Sequence, residues 1–188
     1  MKLEEARKKI DGIDPKIREL LMERLDCSYE VAKAKTESGD LTIYRADREE
    51  EILSRLGKEV PEERRDGYLA LVRKIMETSR MYQYGLIYDW VPGLIDPLLE
   101  GVEIPNPAKL VKLRLTRPDR PNAMSSILSM VGDYGYNMER MILISENHAD
   151  KSVTFELEIL GDINNTHMKK LIYQLSMESS DFQLLKVF

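Results

Sequence analysis

The first part of the chain has the apolar pattern of an amphipathic helix. From residue 2 to about residue 38, apolar side chains recur mostly at steps of three and four, which is the spacing of one helix face. The pattern continues across Pro15, and this indicates either one long kinked helix or a second helix capped by Asp14. We favour one kinked helix because the apolar stripe is unbroken, and Gly39 marks its end.

Two further helices are predicted in the first half of the chain. A short one covers about Ala46 to Leu56, and a long one begins at Pro61, followed by acidic residues that the helix dipole favours. Three such helices cannot enclose a core as a single copy, so we expect an all-α N-terminal domain that forms an intertwined dimer. The buried stripe expected on the third helix is Tyr68, Leu71, Val72, Ile75 and Met76.

The period of the pattern changes after a connector rich in proline and glycine. Beyond Lys109, four segments of alternating apolar and polar residues indicate strands. Two amphipathic helical segments lie between them, the first of which Asn122 can cap. The order βαββαβ predicts an α+β domain with its helices on one face of an antiparallel sheet. The predicted boundaries are 1–88 for the helical domain, 89–108 for the connector and 109–188 for the α+β domain.

Composition narrows the classes of function. The chain of 188 residues is 43% apolar and 32% charged with a net charge of −5, as in ordinary soluble globular proteins. Basic residues are interspersed with acidic ones, which argues against nucleic-acid binding. Neither a membrane span nor a signal peptide is visible, so a cytoplasmic protein is expected. Cys27, the single cysteine, excludes a cysteine-cluster metal site, and we interpret it as a small buried hydrophobe.

Cationic side chains give the strongest indication of function. At about 100° per residue, Arg24 and Lys35 lie within roughly 20° of each other on one helix, about three turns apart. Ser28 and Val31 fall between them on the same face. Two long cations flanking small side chains favour a ligand with more than one negative charge. Arg7 is out of phase with Arg24 by roughly 100°, so it would reach this face only from another chain.

Two polar residues on the third helix support a ligand site. Ser79 and Gln83 continue an apolar stripe at four-residue steps, and buried polar groups need hydrogen-bond partners that a polar ligand would supply. The alternative is that each cation is a solvated charge on a helix face, and for any one cation alone this alternative is favoured.

The pattern resembles that of the all-helical chorismate mutases, the type fused to prephenate dehydratase or dehydrogenase in many bacteria. The resemblance covers about residues 1–88 and includes charged and polar positions in matching order and nearly matching spacing. The matching segments are LEEARKKIDGID from Leu3, ER from Glu23, VAKAK from Val31, DRE from Asp47 and SRMYQ from Ser79.

The resemblance implies conversion of chorismate to prephenate, an intramolecular pericyclic rearrangement that needs no metal, cofactor or nucleophile. It implies four catalytic residues. Lys35 and Gln83 donate to the ether oxygen of the substrate, and Arg48 and Glu49 organise the hydroxyl end of its ring.

The resemblance also implies how the substrate is bound. Arg24, Ser79 and an Arg7 donated across the homodimer interface would hold its carboxylates, and Val31 would form an apolar wall. The chain departs from the family at Arg45, three positions before Arg48, where the family usually has an acidic residue. The loop before this position is also one residue longer than in the family.

The C-terminal segment resembles an ACT domain, a βαββαβ module that commonly pairs with another copy and binds amino acids at the interface. The matching stretch is DRPNAMSSIL from Asp119, in which Asn122 stands where the family usually has glycine. The resemblance implies an effector site near Asp119, Asn122, Ala123 and Met124, with phenylalanine or tyrosine as the effector. A domain that only dimerises or has a structural role is the alternative.

Two alternatives to an active chorismate mutase stay open. The first is a degenerate mutase domain that serves as a dimeric ligand sensor or as a regulatory subunit of another shikimate-pathway enzyme. Arg45 favours it, and the presence of Lys35, Arg48, Glu49 and Gln83 argues against it. The second keeps the helical fold and changes the substrate, for example to isochorismate with elimination of pyruvate.

Overall fold

The structure is a computed structural model that describes residues 2–188. The chain divides into two compact units, Met1–Ile87 and Tyr88–Phe188. Its helices are α1 (Leu3–Ser38), α2 (Ala46–Gly57), α3 (Glu62–Trp90), α4 (Asp96–Leu99), α5 (Ala123–Asp133) and α6 (Thr166–Met177). Its strands are β1 (Leu110–Pro118), β2 (Asn137–Asn147), β3 (Ser152–Leu160) and β4 (Ser180–Val187).

Helix α1 is a single helix of 36 residues that runs through Pro15. The interpretation as one long helix is therefore confirmed, and a separate helix beginning at Asp14 is wrong. Proline removes only one backbone donor from the helix, and the turns on either side remain intact. The helix ends at Gly39, which has a φ of 75° and donates its backbone N–H to the carbonyl of Thr36. Glycine adopts this left-handed conformation without the steric penalty of a side chain.

Most of the apolar stripe of α1 is uncovered in the single chain. Within this helix, all of which is described, the buried residues are Ser28 and Ala32. The exposed apolar residues, between 50% and 66% accessible, include Leu3, Ile10, Ile13, Ile17 and Leu20. The core of this unit in one chain is a small cluster in which Leu53 of α2 packs with Val72 and Met76 of α3.

Two predictions of burial are wrong for the single chain. Leu71 is 52% exposed, although it belongs to the stripe predicted to be buried on the third helix. Cys27 is also exposed, and it lines a cavity of the helical unit. The amphipathic pattern identified the apolar faces correctly, but one chain does not cover all of them.

The second unit contains the predicted antiparallel sheet with helices. The strand order is β2-β3-β1-β4, and every neighbouring pair is antiparallel. Alternate residues of β3, and of β1 as far as Leu115, are buried and share one apolar cluster with residues of α5 and α6. The predicted capping role of Asn122 is wrong, because the residue precedes α5 in a left-handed conformation (φ 72°) and its side chain makes no capping hydrogen bond.

A buried polar network links three elements of the second unit. Arg117 at the end of β1 donates to the backbone carbonyl of Glu178 and, over 3.1 Å, to the hydroxyl of Ser126 on α5. The Glu178 carboxylate accepts a hydrogen bond from Gln174 Nε2 at 2.8 Å, and Gln174 Oε1 accepts one from the Tyr134 hydroxyl at 2.9 Å. Arg117, Gln174 and Glu178 are all buried. Their hydrogen bonds satisfy groups that would otherwise destabilise the core.

Candidate active site

A cavity of about 550 Å³ lies among α1, α2, α3 and the loop between α1 and α2. Its wall combines long cationic side chains with small and apolar ones, as the helical phases predict. The residues predicted for the site that line this cavity are Arg24, Val31, Lys35, Arg48, Glu49, Ser79 and Gln83. The structure thus brings together side chains that are separated by up to 59 positions in the sequence.

Helix α1 supplies the first wall of the cavity. Arg24, Val31 and Lys35 share one face because seven and four residues are close to whole numbers of helical turns. Arg24 donates a hydrogen bond from Nη1 to the Ser79 hydroxyl on α3, which ties the two helices together at the cavity. Ser28, one turn after Arg24, donates to the Arg24 carbonyl at 3.1 Å, so its hydroxyl is satisfied within the helix.

Lys35 is held by an acidic residue of the following loop. Its Nζ lies 2.6 Å from Asp40 Oδ2, and Arg45 Nη2 lies 3.1 Å from the same oxygen. The hydrogen bond from Lys35, followed by one from the backbone N–H of Thr42, lowers the pKa of Asp40 to about 2. Both bonds favour the charged carboxylate. Two of the cations that line the cavity are therefore attached to a single carboxylate.

Arg80 is a site residue that the sequence analysis missed. It is only 6% exposed, lines the cavity and donates from Nη1 to Glu49 Oε1. Its guanidinium carbon also lies 4.8 Å from the centre of the Tyr44 ring, a cation–π geometry. The spacing in the sequence could have indicated that Arg80 is buried. Arg80 is four residues from both Met76 and Tyr84, so the three lie on one face of α3, and Met76 and Tyr84 are buried.

Gln83 presents an acceptor to the cavity. The side chain is buried, and its Nε2 donates to the Ser79 carbonyl at 3.1 Å. Its Oε1 has no hydrogen-bond partner among the described residues. The role implied by the resemblance is that of a donor, and the amide nitrogen has a second N–H for it besides the one that Ser79 accepts.

The cavity has a surplus of positive charge. Five of the lining residues are cationic and two are acidic, which favours a ligand with more than one negative charge. The cationic residues are Arg24, Lys35, Arg45, Arg48 and Arg80, and the acidic ones are Asp47 and Glu49.

Arg7 lies outside this cavity. It is exposed on α1, 17 positions before Arg24, which corresponds to about 25 Å along the helix axis. One chain cannot bring its own Arg7 to the cavity without breaking α1. The contribution of Arg7 from a second chain stays a prediction.

The residues predicted for an effector site line a second cavity, of about 420 Å³, in the other unit. Those residues are Asp119, Asn122, Ala123 and Met124. Asn122 has a φ of 72°, a left-handed conformation that glycine adopts most readily. Asparagine is one of the few other residues that tolerate this conformation.

Two other classes of site are not found in the described part of the chain. No group of three or more His, Cys, Asp and Glu side chains within residues 2–188 could hold a metal ion. Among the described helices, none is both long enough and apolar enough to cross a membrane.

Comparison with known proteins identifies the helical unit. Residues 6–84 match the family model described as chorismate mutase type II. The match confirms the prediction of a chorismate mutase domain in this part of the chain. Residues 85–188 lie outside the match, so it does not test the identity of the second unit.

No curated protein matches the chain significantly. One similar solved structure is described as GqqA, a novel type of quorum quenching acylase. The two are 19% identical with a TM-score of 0.42, and the match covers 47% of this chain and 45% of that one. The matched region is therefore less than half the length of that protein.

The ion pair of Lys35 gives a prediction for pH titration. Replacing Lys35 with Met should raise the pKa of Asp40 from about 2 towards the ordinary value of about 3.9, because the largest cause of the shift is removed. In the wild type, the Asp40 carboxylate adds to the free energy of unfolding, and this contribution is fully present above its pKa in the unfolded chain, about 3.9. It is lost as the pH falls through about 2.

Carbon-detected NMR of the Asp40 carboxyl group would measure this shift. The control is Lys33→Met, which removes an exposed lysine two positions away that does not line the cavity, and it should leave the titration of Asp40 unchanged. The same titration curve in the wild type and in Lys35→Met would contradict the ion pair.

Proposed function

We propose that the protein is a homodimeric chorismate mutase that converts chorismate to prephenate in the cavity among α1, α2 and α3. The observation that carries the proposal is the convergence of seven expected site residues on one cavity, in a unit whose residues 6–84 match the chorismate mutase type II family. The surplus of positive charge suits chorismate, which carries two carboxylates.

The chemistry needs positioning rather than a reactive side chain. The rearrangement breaks the ether C–O bond and forms a C–C bond within one molecule, so no atom or electron is exchanged with the protein. A protein can accelerate it by holding the substrate in the compact conformer that reacts. It can also donate hydrogen bonds to the ether oxygen as negative charge develops there.

The lining residues can supply both effects. Lys35 donates to the ether oxygen, and Gln83 does so through the amide N–H that Ser79 does not accept. Arg24 and Ser79 bind one carboxylate. Their own hydrogen bond places the guanidinium before the substrate arrives, and guanidinium groups pair with carboxylates in a bidentate geometry.

The hydroxyl end of the ring meets a pair of charged residues on α2. Glu49 accepts from the substrate hydroxyl, and Arg48 lies beside it on the same wall. Arg80 sets the direction of the Glu49 carboxylate through their direct hydrogen bond. A bound and oriented acceptor of this kind loses less conformational entropy when it binds the hydroxyl.

A second chain would complete both the fold and the site. The uncovered apolar residues of α1 provide the hydrophobic surface that an intertwined dimer needs. Arg7 of the partner subunit would then bind the second carboxylate, a role that Arg7 cannot fulfil within its own chain.

The second unit is proposed to be an ACT-like domain that binds an aromatic amino acid. Its βαββαβ order and antiparallel sheet support this assignment. The cavity near Asn122 combines charged residues, among them Arg120 and Glu146, with the apolar side chains of Leu128 and Phe155. The charged groups could pair with the carboxylate and ammonium groups of an amino acid, and the apolar ones could contact its ring.

Steady-state kinetics of the wild type and Lys35→Ala test the mutase proposal. Purified wild-type protein should convert chorismate to prephenate, identified as the product. Lys35→Ala should lower kcat/KM by about 100-fold or more, because a donor to the developing oxyanion is lost. Lys33→Ala is the matched control and should retain full activity. A folded dimer that leaves chorismate untouched would support the alternative of a regulatory module instead.

Mixing two inactive variants tests the shared site. Arg7→Ala and Arg24→Ala should each be inactive alone. After subunits are exchanged, each mixed dimer has one site with both arginines, so about a quarter of wild-type activity should return. If the mixture stays as inactive as its components, Arg7 does not act across the interface.

Calorimetric titration with phenylalanine and tyrosine tests the second unit. One of the two should bind, and Leu143→Glu should abolish binding by placing a charge in the apolar part of the cavity. Ile144→Glu is a close control, because Ile144 has the same 45% exposure as Leu143 and does not line that cavity. Absence of binding by the wild type would favour a domain with a dimerising or structural role.

A further inference from the structure

Asp40 lies outside the set of residues that line the mutase cavity, yet it is bonded to two that do. Its Oδ2 accepts from Lys35 Nζ at 2.6 Å and from Arg45 Nη2 at 3.1 Å. The side chains of Lys35 and Asp40 are 24% and 44% exposed, so the pair is partly solvated. Neither family resemblance nor helical phase singled out this residue, because it belongs to the loop.

The backbone fixes the carboxylate in place. Gly39 ends α1 with a positive φ and turns the chain so that Asp40 returns towards the last turn of the helix. Asp40 Oδ1 accepts a hydrogen bond from the backbone N–H of Thr42 at 3.1 Å. The other oxygen is therefore held at a defined position, and it is the one that receives both cations.

A fixed acceptor matters for lysine more than for most donors. The lysine side chain has four flexible carbon–carbon bonds and a compact charge, so its ammonium group has no preferred position of its own. A carboxylate 2.6 Å away confines the ammonium to one region of the cavity wall. The remaining ammonium protons can then be directed at a ligand.

The positive charge of Arg45 gives the Asp40 carboxylate a second cation to neutralise. In the resembling family, an acidic residue usually occupies that position, and this chain has a cation there instead. Lys35 and Arg45 both line the cavity, and their positive charges would repel each other. Asp40 bonds to both of them, so a carboxylate five positions earlier in the same loop lies beside these two cations.

We propose that Asp40 is a positioning residue for the rearrangement, which orients the Lys35 ammonium towards the ether oxygen and separates it electrostatically from Arg45. The inference rests on the proposed mutase function. It also implies an opposing effect, since a negative charge beside the cavity disfavours binding of a dianion. Asp40 thus increases kcat at the expense of weaker substrate binding.

Kinetics of Asp40→Asn test this proposal. The variant keeps the shape of the side chain and removes its charge. We expect kcat to fall about tenfold, because the ammonium is less well oriented, and KM to fall about twofold or more, because repulsion of the dianion is reduced. Loss of folded protein would instead lower kcat with KM unchanged, so the fall in KM separates a positioning role from a structural one.

Two further variants complete the experiment. Asp40→Glu keeps the carboxylate on a longer arm and should recover part of the lost kcat. Glu37→Gln removes an equal charge from an exposed position near Lys35 and should match the wild type in both constants.

The outcomes separate the two proposals. A wild-type kcat in Asp40→Asn, or a lower kcat with an unchanged or higher KM, would overturn the role of Asp40 and leave the mutase function intact. Absence of chorismate conversion by the wild type would overturn the mutase function, and with it the role of Asp40.

Discussion

Mutual repulsion of cations around one cavity is the constraint that the helical unit has to satisfy. Each cation that donates a hydrogen bond at this cavity donates it to a side chain that the fold holds in place. Arg24 is bound to Ser79, Arg80 to Glu49, and both Lys35 and Arg45 to Asp40. Folding therefore assembles the positive charge before any ligand is present. A site prepared in this way needs little reorganisation when charge moves in a bound substrate, which is the condition for electrostatic catalysis.

The sequence predicts those parts of the site that depend on helical geometry. Arg24 and Lys35 share a face because the helix between them is regular, and that regularity could be inferred from the apolar pattern. Ser79 and Gln83 were recognisable as polar interruptions of a stripe. The partners of the cations were less predictable. Asp40 acts from a loop, whose conformation depends on a left-handed glycine rather than on a periodic pattern.

Burial within one chain follows the apolar pattern closely in one unit and only in part in the other, for a physical reason. In the second unit, the sheet and its helices enclose an apolar cluster within one chain, so alternation along β3, and along β1 as far as Leu115, translates directly into burial. In the helical unit, the stripe of α1 has no cover in the single chain. The buried Arg117–Glu178 pair was also missed, because its partners come from three elements and no local pattern connects them.

The uncovered stripe of α1 links stability to the proposed activity. The helical unit has only a small cluster around Leu53, Val72 and Met76 as its described core, and so small a core gives little stability by itself. Association through α1 would bury the remaining apolar surface and would also deliver the missing Arg7. The free energy that drives association would then depend on the same helix that carries Arg24 and Lys35. Dilution of the proposed dimer to single chains would therefore weaken the fold of this unit and remove the proposed catalytic site in a single step.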